Sequence, residues 1–287
     1  MKLKFPKVSV IPFIISITLI LFLSVYGVGS FFVLRKGWYL RPIAKAYNFL
    51  PLPVLVVNGA PVSYYAFMKE YEHRNYFYKQ LGQEKSFSEI GQETLNQLIK
   101  TTVLKKQGRI LNIQITKQEK IDFLDANIKE AGGQAKLVEY MKKFHNFTLD
   151  DYQEDLNNKL LEQKIRDIIG PQVHLQQIVV SQKNKKKFSA LKKDLSSGKK
   201  TFDELVSIYS EDLTKEKNGD LGFIPFGYLH STQGKAAFSL TVGSVSKPFI
   251  YKQNIYVYKL LEKKGENFAD WFNNKIKNSH VYSLLKV

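Results

Sequence analysis

The sequence predicts an α+β protein with an N-terminal transmembrane helix, a helical domain and a domain that mixes helices with strands. Three observations carry this prediction. The first is a run of 27 residues without a charge, Val8–Leu34. The second is the helical periodicity of residues 54–171, with capping and breaking signals, and the third is the alternation of short strands with short helices over residues 172–264. At 287 residues, the chain is long enough for an anchor and two modest domains.

The apolar run exceeds the roughly 20 residues that span a bilayer and the roughly 7–15 residues of a signal-peptide core. We therefore predict a cytoplasmic tail and membrane anchor over residues 1–34, with cleavage after Gly29 as the alternative. Basic residues flank both ends of the run, so flanking charge alone does not fix the topology. A short basic N-terminus before a long trailing domain favours an extracytoplasmic globular part. Residues 35–53 form a connector, with Trp38 and Tyr39 at the membrane interface.

Composition excludes several function classes. The chain has no cysteine, so disulfides, thiol catalysis and a lipid-modified cysteine are excluded. The formal net charge is +17, but only five of the 43 basic residues are arginine and no nucleic-acid-binding motif occurs, so no nucleic acid partner is expected. Two interpretations of the charge remain: solvated lysine-rich surfaces, or attraction to anionic lipid or cell-wall polymer.

The segment from residue 54 to 171 begins with a short apolar strand at Val54, an Asn-Gly turn and Ser63 as a helix cap. Thr116 and Glu119 have the spacing of a capping box, and Gly132-Gly133 breaks the helix that follows. Helices are predicted over Tyr64–Leu81, Phe87–Leu111, Thr116–Ala131, Gln134–Phe144 and Leu149–Ile169.

Four phrases follow one another in the mixed segment: a capped helix from Thr201 that ends in Tyr-Ser-Glu-Asp, then Asn-Gly-Asp-Leu-Gly from Asn218, Ala-Ala-Phe-Ser-Leu from Ala236, and Gly-Ser-Val-Ser-Lys-Pro from Gly243. Their order and wording resemble the parvulin family of peptidyl-prolyl isomerases, over about Val173 to Lys263. The resemblance implies a small antiparallel sheet surrounded by helices. The predicted elements are strand Val173–Ser181, helices Asn184–Ser196, Phe202–Ser210 and Thr232–Phe238, and strands near Ser246–Ile250 and Ile255–Leu261.

The N-terminal segment, with its Val-Asn-Gly strand end and hydroxyl-capped helix, resembles the chaperone domain of PrsA- and SurA-type foldases. That resemblance implies a helical chaperone domain over 54–171, a parvulin-like domain over 172–264, and a C-terminal segment over 265–287 that packs back on the chaperone domain. Trp271 and Phe272 are then expected to be buried in that return. A loosely attached amphipathic tail that touches the membrane is the alternative.

The parvulin resemblance also implies site residues. Asp212 falls on the family's Cys/Asp position. Gln177 and Tyr256 fall where the family has its two histidines. The substrate pocket comprises the family's Leu position at Leu221, its Met position at Leu229, its Phe position at Gln233, and Phe238 at the end of the helix that carries Gln233.

We predict a membrane-anchored extracytoplasmic foldase that isomerises Xaa-Pro bonds in unfolded secreted or envelope proteins. The reaction requires neither a cofactor nor a covalent step, and the five scattered histidines have no metal-ligand spacing. One alternative is an inactive holdase or scaffold that keeps the parvulin fold for peptide binding, because both family histidines and the pocket Phe are replaced. Another is a basic protein that tethers anionic polymer or nucleic acid to the membrane.

Overall fold

The computed structural model describes residues 11–36, 47 and 52–287, with the side chains of 11–19, 22, 23 and 36 left out. The predicted cytoplasmic tail and the interfacial Trp38 and Tyr39 lie outside the described residues. The chain divides into two compact units. One unit comprises Met1–Gln107, Ile115–Asn158 and Ile276–Val287, and the other comprises Gly108–Gln114 and Lys159–Lys275.

Helices and strands follow the predicted order with few exceptions. The helices are α1 (Ile11–Lys36), α2 (Tyr64–Gln80), α3 (Phe87–Ile110), α4 (Lys117–Glu130), α5 (Gln134–His145), α6 (Leu149–Ile169), α7 (Lys185–Ser197), α8 (Phe202–Tyr209), α9 (Ser231–Phe238) and α10 (Phe268–Lys277). The strands are β1 (Pro53–Val57), β2 (Ala60–Ser63), β3 (Gln172–Ser181), β4 (Asp220–Pro225), β5 (Phe249–Tyr251), β6 (Asn254–Lys264) and β7 (Val281–Ser283). The fold is therefore α+β, as predicted.

Local capping chemistry explains where the helices of the first unit begin. The Ser63 side chain accepts a hydrogen bond from the backbone N–H of Ala66, and Thr116 and Glu119 form the predicted capping box. Both caps satisfy backbone donors that the first helical turn leaves unpaired.

Within the residues that the structure describes, no helix is both long and apolar enough to cross a membrane.

A three-stranded antiparallel sheet in the first unit joins chain segments far apart in sequence. Strand β1 lies between β2 and β7, and Val56 pairs with Tyr282. Strand β2 was not predicted, because only four residues separate the Asn-Gly turn from helix α2. Asn58 adopts the left-handed conformation, and its side-chain amide donates a hydrogen bond to the Ser279 hydroxyl at 2.9 Å.

The second unit contains a four-stranded antiparallel sheet in the order β4-β3-β6-β5. Strand β4 was not predicted, because glycines dominate the motif Asn-Gly-Asp-Leu-Gly that leads into it. Strand β5 begins at Phe249, later than predicted, since Pro248 has no N–H to donate to a ladder.

Two hydrophobic clusters cover the two faces of this sheet. On one face, Ile178, Val180 and Val257 pack against residues of α7 and α8. On the other face, Val173, Leu175, Tyr258 and Leu260 pack with Ala237 of α9.

Helix α10 forms 10 residues of the predicted C-terminal segment. Trp271 is buried and Phe272 half-buried, and the Arg166 guanidinium carbon lies 4.2 Å from the centre of the Phe268 ring.

Candidate functional site

Asp212 is the centre of a hydrogen-bonded network beside the C-terminal half of strand β3. Its Oδ2 accepts hydrogen bonds from the Gln177 side-chain amide at 2.8 Å and from the Thr214 hydroxyl at 2.6 Å. Its Oδ1 accepts from the Ser210 hydroxyl at 2.7 Å, which in turn accepts from the backbone N–H of Val179 at 3.1 Å. The carboxylate is thus fixed to β3 on both of its oxygens.

These bonds decide the charge of Asp212. Burial disfavours the charged form, but the hydrogen bonds from Thr214, Ser210 and Gln177 outweigh it, so the pKa of Asp212 lies below its usual range. The network therefore holds an ionised carboxylate at neutral pH. Neither the Gln177 amide nor the threonine and serine hydroxyls titrate near neutrality.

A glycine turn allows the loop that carries Asp212 to approach β3 closely. Gly219 has a φ of +73°, and its carbonyl accepts a hydrogen bond from the backbone N–H of Gln177 at 2.8 Å. A Cβ at this position would lie 2.3 Å from the carbonyl oxygen of Gln177. Only glycine fits both the backbone conformation and the space.

Glu211 fixes the same loop on its other side. Its backbone N–H donates to the carbonyl of Val179 at 2.8 Å, and its carboxylate accepts from the backbone N–H of Ser181 at 2.8 Å and from Lys187 Nζ at 3.0 Å. The loop is thus joined to β3 on both sides of Asp212.

The predicted apolar pocket residues lie together on one side of the sheet. Leu221, Leu229 and Phe238 are half-buried and pack against the cluster that contains Tyr258 and Ala237. Tyr256 also packs against this cluster. The structure therefore brings these four predicted site residues to one apolar surface.

Gln233 makes a contact that the sequence analysis did not foresee. Its side-chain amide donates a hydrogen bond to the Tyr258 hydroxyl at 3.0 Å. Burial raises the pKa of Tyr258 to about 12. The polar end of Gln233 is therefore bonded to a neutral, buried phenol of strand β6.

Tyr256 lies on the same face of the sheet as Gln177 but makes a different contact. Across the strands, Val179 pairs with Tyr256 and Gln177 with Tyr258, so these four side chains share one face of the sheet. Among the described residues, no hydrogen bond links Tyr256 to Gln177 or Asp212. The Tyr256 ring instead stacks on Phe249, with centroids 5.8 Å apart and planes at 19°.

Sequence reasoning missed four residues of this site: Ser210, Thr214, Tyr258 and Phe249. Two signals were available for the last two. Tyr258 follows Tyr256 by two positions on a strand, which places both side chains on one face. Phe249 directly follows the Ser-Lys-Pro phrase and enters the neighbouring strand.

His174 is the histidine closest in sequence to Gln177, and its Nε2 lies 2.7 Å from Asp220 Oδ1 instead of approaching Asp212. In the part of the chain that the structure describes, no group of three or more metal-ligating side chains occurs.

Comparisons with known proteins match two parts of the chain. Residues 4–166 match the family model of the SurA-like N-terminal domain, and residues 176–263 match that of the PPIC-type PPIase domain. The first match covers more than half of the chain.

Curated relatives are named as foldases or chaperones. The Bacillus cereus foldase protein PrsA 2 is 27% identical over 205 residues, which cover 66% of this chain and 67% of that protein. The Bacillus anthracis foldase protein PrsA 2 is 31% identical over 125 residues, or 43% of each chain. The chaperone SurA of Nitrosococcus oceani is 28% identical over 146 residues, which cover 50% of this chain and 33% of that protein. The chain thus spans between 33% and 67% of the length of these three relatives.

Proposed function

The chain belongs to the family of proteins with a SurA-like N-terminal domain, and on that premise we propose that it is a membrane-anchored extracytoplasmic foldase whose PPIC-type domain isomerises peptidyl-prolyl bonds. Its clients are unfolded secreted or envelope polypeptides that contain Xaa-Pro bonds. The chaperone part comprises residues 54–171 and 265–287, and the isomerase part residues 172–264. The names of the relatives, foldase and chaperone, support this assignment.

One observation carries the proposal: the ionised Asp212 held by Gln177, Thr214 and Ser210 beside an apolar surface. A prolyl bond is a planar amide with a rotation barrier of about 18–20 kcal/mol. In the planar amide, conjugation places negative charge on the carbonyl oxygen, and twisting removes part of that charge. A fixed carboxylate near this oxygen therefore disfavours the planar form more than the twisted form, which lowers the barrier.

The apolar surface has a second role in the proposal. Leu221, Leu229 and Phe238 hold the proline ring, so that the rest of the bound peptide rotates relative to it. No cofactor is needed, because no bond to the substrate is made or broken. Gln177 replaces the first family histidine as a hydrogen-bond donor to Asp212, at 2.8 Å.

The test is cis–trans exchange in a short Ala-Leu-Pro-Phe peptide, measured by NMR exchange spectroscopy with the full chain and with Asp212→Asn. The variant keeps the size of the side chain and removes its charge. We expect the parent to accelerate exchange and the variant to lose most of that acceleration. A folded parent that leaves the uncatalysed rate unchanged would disprove the isomerase.

The inactive holdase is a second candidate, favoured by the replacement of both family histidines by Gln177 and Tyr256. A holdase binds the same peptides and suppresses aggregation of an unfolded client without accelerating exchange. Aggregation of a denatured client, followed by light scattering beside the exchange measurement, separates the two candidates.

Membrane attachment is supported by the uncharged run Val8–Leu34 and by the basic residues around it. We expect the chain to stay with membranes after washing at high pH and to be digested by protease added to intact cells whose wall has been removed. Release by the wash would contradict the anchor, and full protection from protease would contradict the extracytoplasmic location. The net charge of +17 further supports contact with anionic lipid or cell-wall polymer, which high salt should weaken.

A further inference from the structure

We infer that Phe249 and Tyr256 on strands β5 and β6 form an aromatic wall of the proline pocket and take the place of the ring that position 233 on helix α9 lacks. This inference rests on the proposed isomerase site and names the side chains that contact the proline ring. The parvulin resemblance leads one to expect a phenylalanine on α9, where this chain has Gln233. The absence of that ring leaves one wall of the proposed pocket without an assigned residue.

Phe249 and Tyr256 form a paired aromatic surface. They face each other across the β5–β6 ladder, and their rings stack with centroids 5.8 Å apart. Both side chains are half-buried, which leaves part of each ring available to a ligand. Both pack against the cluster that also holds Leu221 and Leu229. The aromatic pair and the predicted pocket leucines therefore pack on the same buried cluster.

The position of the pair relative to Asp212 follows from the strand register. Tyr256 is paired with Val179, and the next pair on the same face is Gln177 with Tyr258. Gln177 donates to Asp212 at 2.8 Å. A proline ring seated on Tyr256 would thus lie one strand pair away from the residue that holds the carboxylate.

Gln233 and Tyr258 act as positioning residues for this wall. The Tyr258 ring lies edge-on to Phe249, with centroids 5.1 Å apart and planes at 66°. The hydrogen bond from the Gln233 amide holds the Tyr258 hydroxyl in place. The same bond directs the amide toward Tyr258 and away from a bound substrate. The side chain on α9 thus supports the aromatic residues of β5 and β6 through Tyr258.

Aromatic rings suit a proline ligand for a physical reason. The pyrrolidine ring is compact, apolar and already restricted in conformation, so its burial against an aromatic face loses little entropy. Phe249 and Tyr256 offer such faces, whereas an amide at position 233 that is bonded to Tyr258 does not.

The first test measures binding of a fluorescein-labelled Ala-Leu-Pro-Phe peptide to the full chain by fluorescence anisotropy. We expect Phe249→Ala to raise Kd about tenfold and Phe249→Leu, which keeps an apolar side chain, about threefold. Ile250→Ala is the matched control, because Ile250 neighbours Phe249 but is 61% exposed. We expect it to leave Kd unchanged. Leu221→Ala reports on the proposed pocket independently of the aromatic pair.

Two outcomes separate the inference from the function on which it rests. If the parent binds and Leu221→Ala weakens binding while Phe249→Ala and Phe249→Leu do not, the aromatic wall is overturned and the isomerase site stands. If the folded parent binds no prolyl peptide, both are overturned.

A measurement on the unaltered chain covers the case in which Phe249→Ala does not fold. Transferred NOEs from aromatic protein protons to the proline ring, with upfield ring-current shifts of its Hγ and Hδ, are expected in the bound peptide. A bound peptide whose proline protons show neither would overturn the inference.

Discussion

The two faces of the four-stranded sheet differ in how completely they are covered. On the face under α7 and α8, Leu191 and Val206 are fully buried and nearly the whole cluster is closed to solvent. On the face under α9, the buried residues are surrounded by half-buried leucines and aromatic residues, among them Leu221, Leu229 and Phe249. The sheet therefore has one face that serves stability and one that keeps apolar surface within reach of a ligand.

This difference predicts whether a substitution should change mainly stability or mainly ligand binding. Side chains on the closed face contribute through packing, so their loss should reduce the free energy of unfolding and leave ligand binding unchanged in the folded protein. Side chains on the open face are partly solvated already, so their loss should weaken binding more than stability.

Leu191→Ala should give the largest effect on stability. The residue is fully buried among aliphatic and aromatic side chains, so the truncation leaves a cavity and should lower the free energy of unfolding by about 2–5 kcal/mol. Urea denaturation followed by circular dichroism measures the change. A Leu191→Ala protein as stable as the parent, or one that folds but no longer binds prolyl peptide, would break the comparison.

Tyr258→Phe should cost less, because it deletes one hydroxyl and leaves the ring in place. The Gln233 amide loses its acceptor, and we expect a loss of about 1 kcal/mol in the free energy of unfolding. Tyr256→Phe is the matched control, since among the described residues the Tyr256 hydroxyl has no hydrogen bond to Asp212 or Gln177. Equal losses in the two variants would contradict the assigned role of the Gln233–Tyr258 bond.

The change of the catalysed exchange rate with pH should be the smallest of these effects. The pKa of Asp212 is lowered, so the carboxylate is the form that the folded protein favours, and its contribution is lost only as pH falls through that lowered pKa. Catalysed exchange should therefore stay flat between pH 8 and about pH 5. Gln177→His should introduce a change of a few-fold near pH 6–7, where an imidazole titrates. A parent whose activity already changes in that range would show that another group controls it.

Much of the fold was predictable because its signals are local. The capping box at Thr116, the Asn-Gly turn at Asn58 and the breaks after Ile169 each fix an element boundary through neighbouring residues. Strand β4 was missed because its pairing to β3 depends on a partner about 50 residues away, and glycines mask its pattern. Long-range pairing is not visible in local composition.

The sequence predicted which positions form the site, but not the contacts between their side chains. Resemblance placed Asp212, Gln177 and Leu221 in one site. In the structure the Gln177 amide is bonded to the Asp212 carboxylate, and Leu221 packs on the cluster under α9. The resemblance did not predict that the Gln233 amide bonds to Tyr258, because this contact joins a departure from the family pattern to a residue on a distant strand.

The most direct test of the central claim is the rate of cis–trans exchange of a prolyl peptide with the parent, Asp212→Asn and Gln177→Ala, each shown to be folded by circular dichroism. If a fixed carboxylate replaces the histidine pair, the parent accelerates exchange, Asp212→Asn loses about 10- to 100-fold of that acceleration, and Gln177→Ala lies between them. An Asp212→Asn variant as active as the parent, or a parent without activity, would contradict the claim.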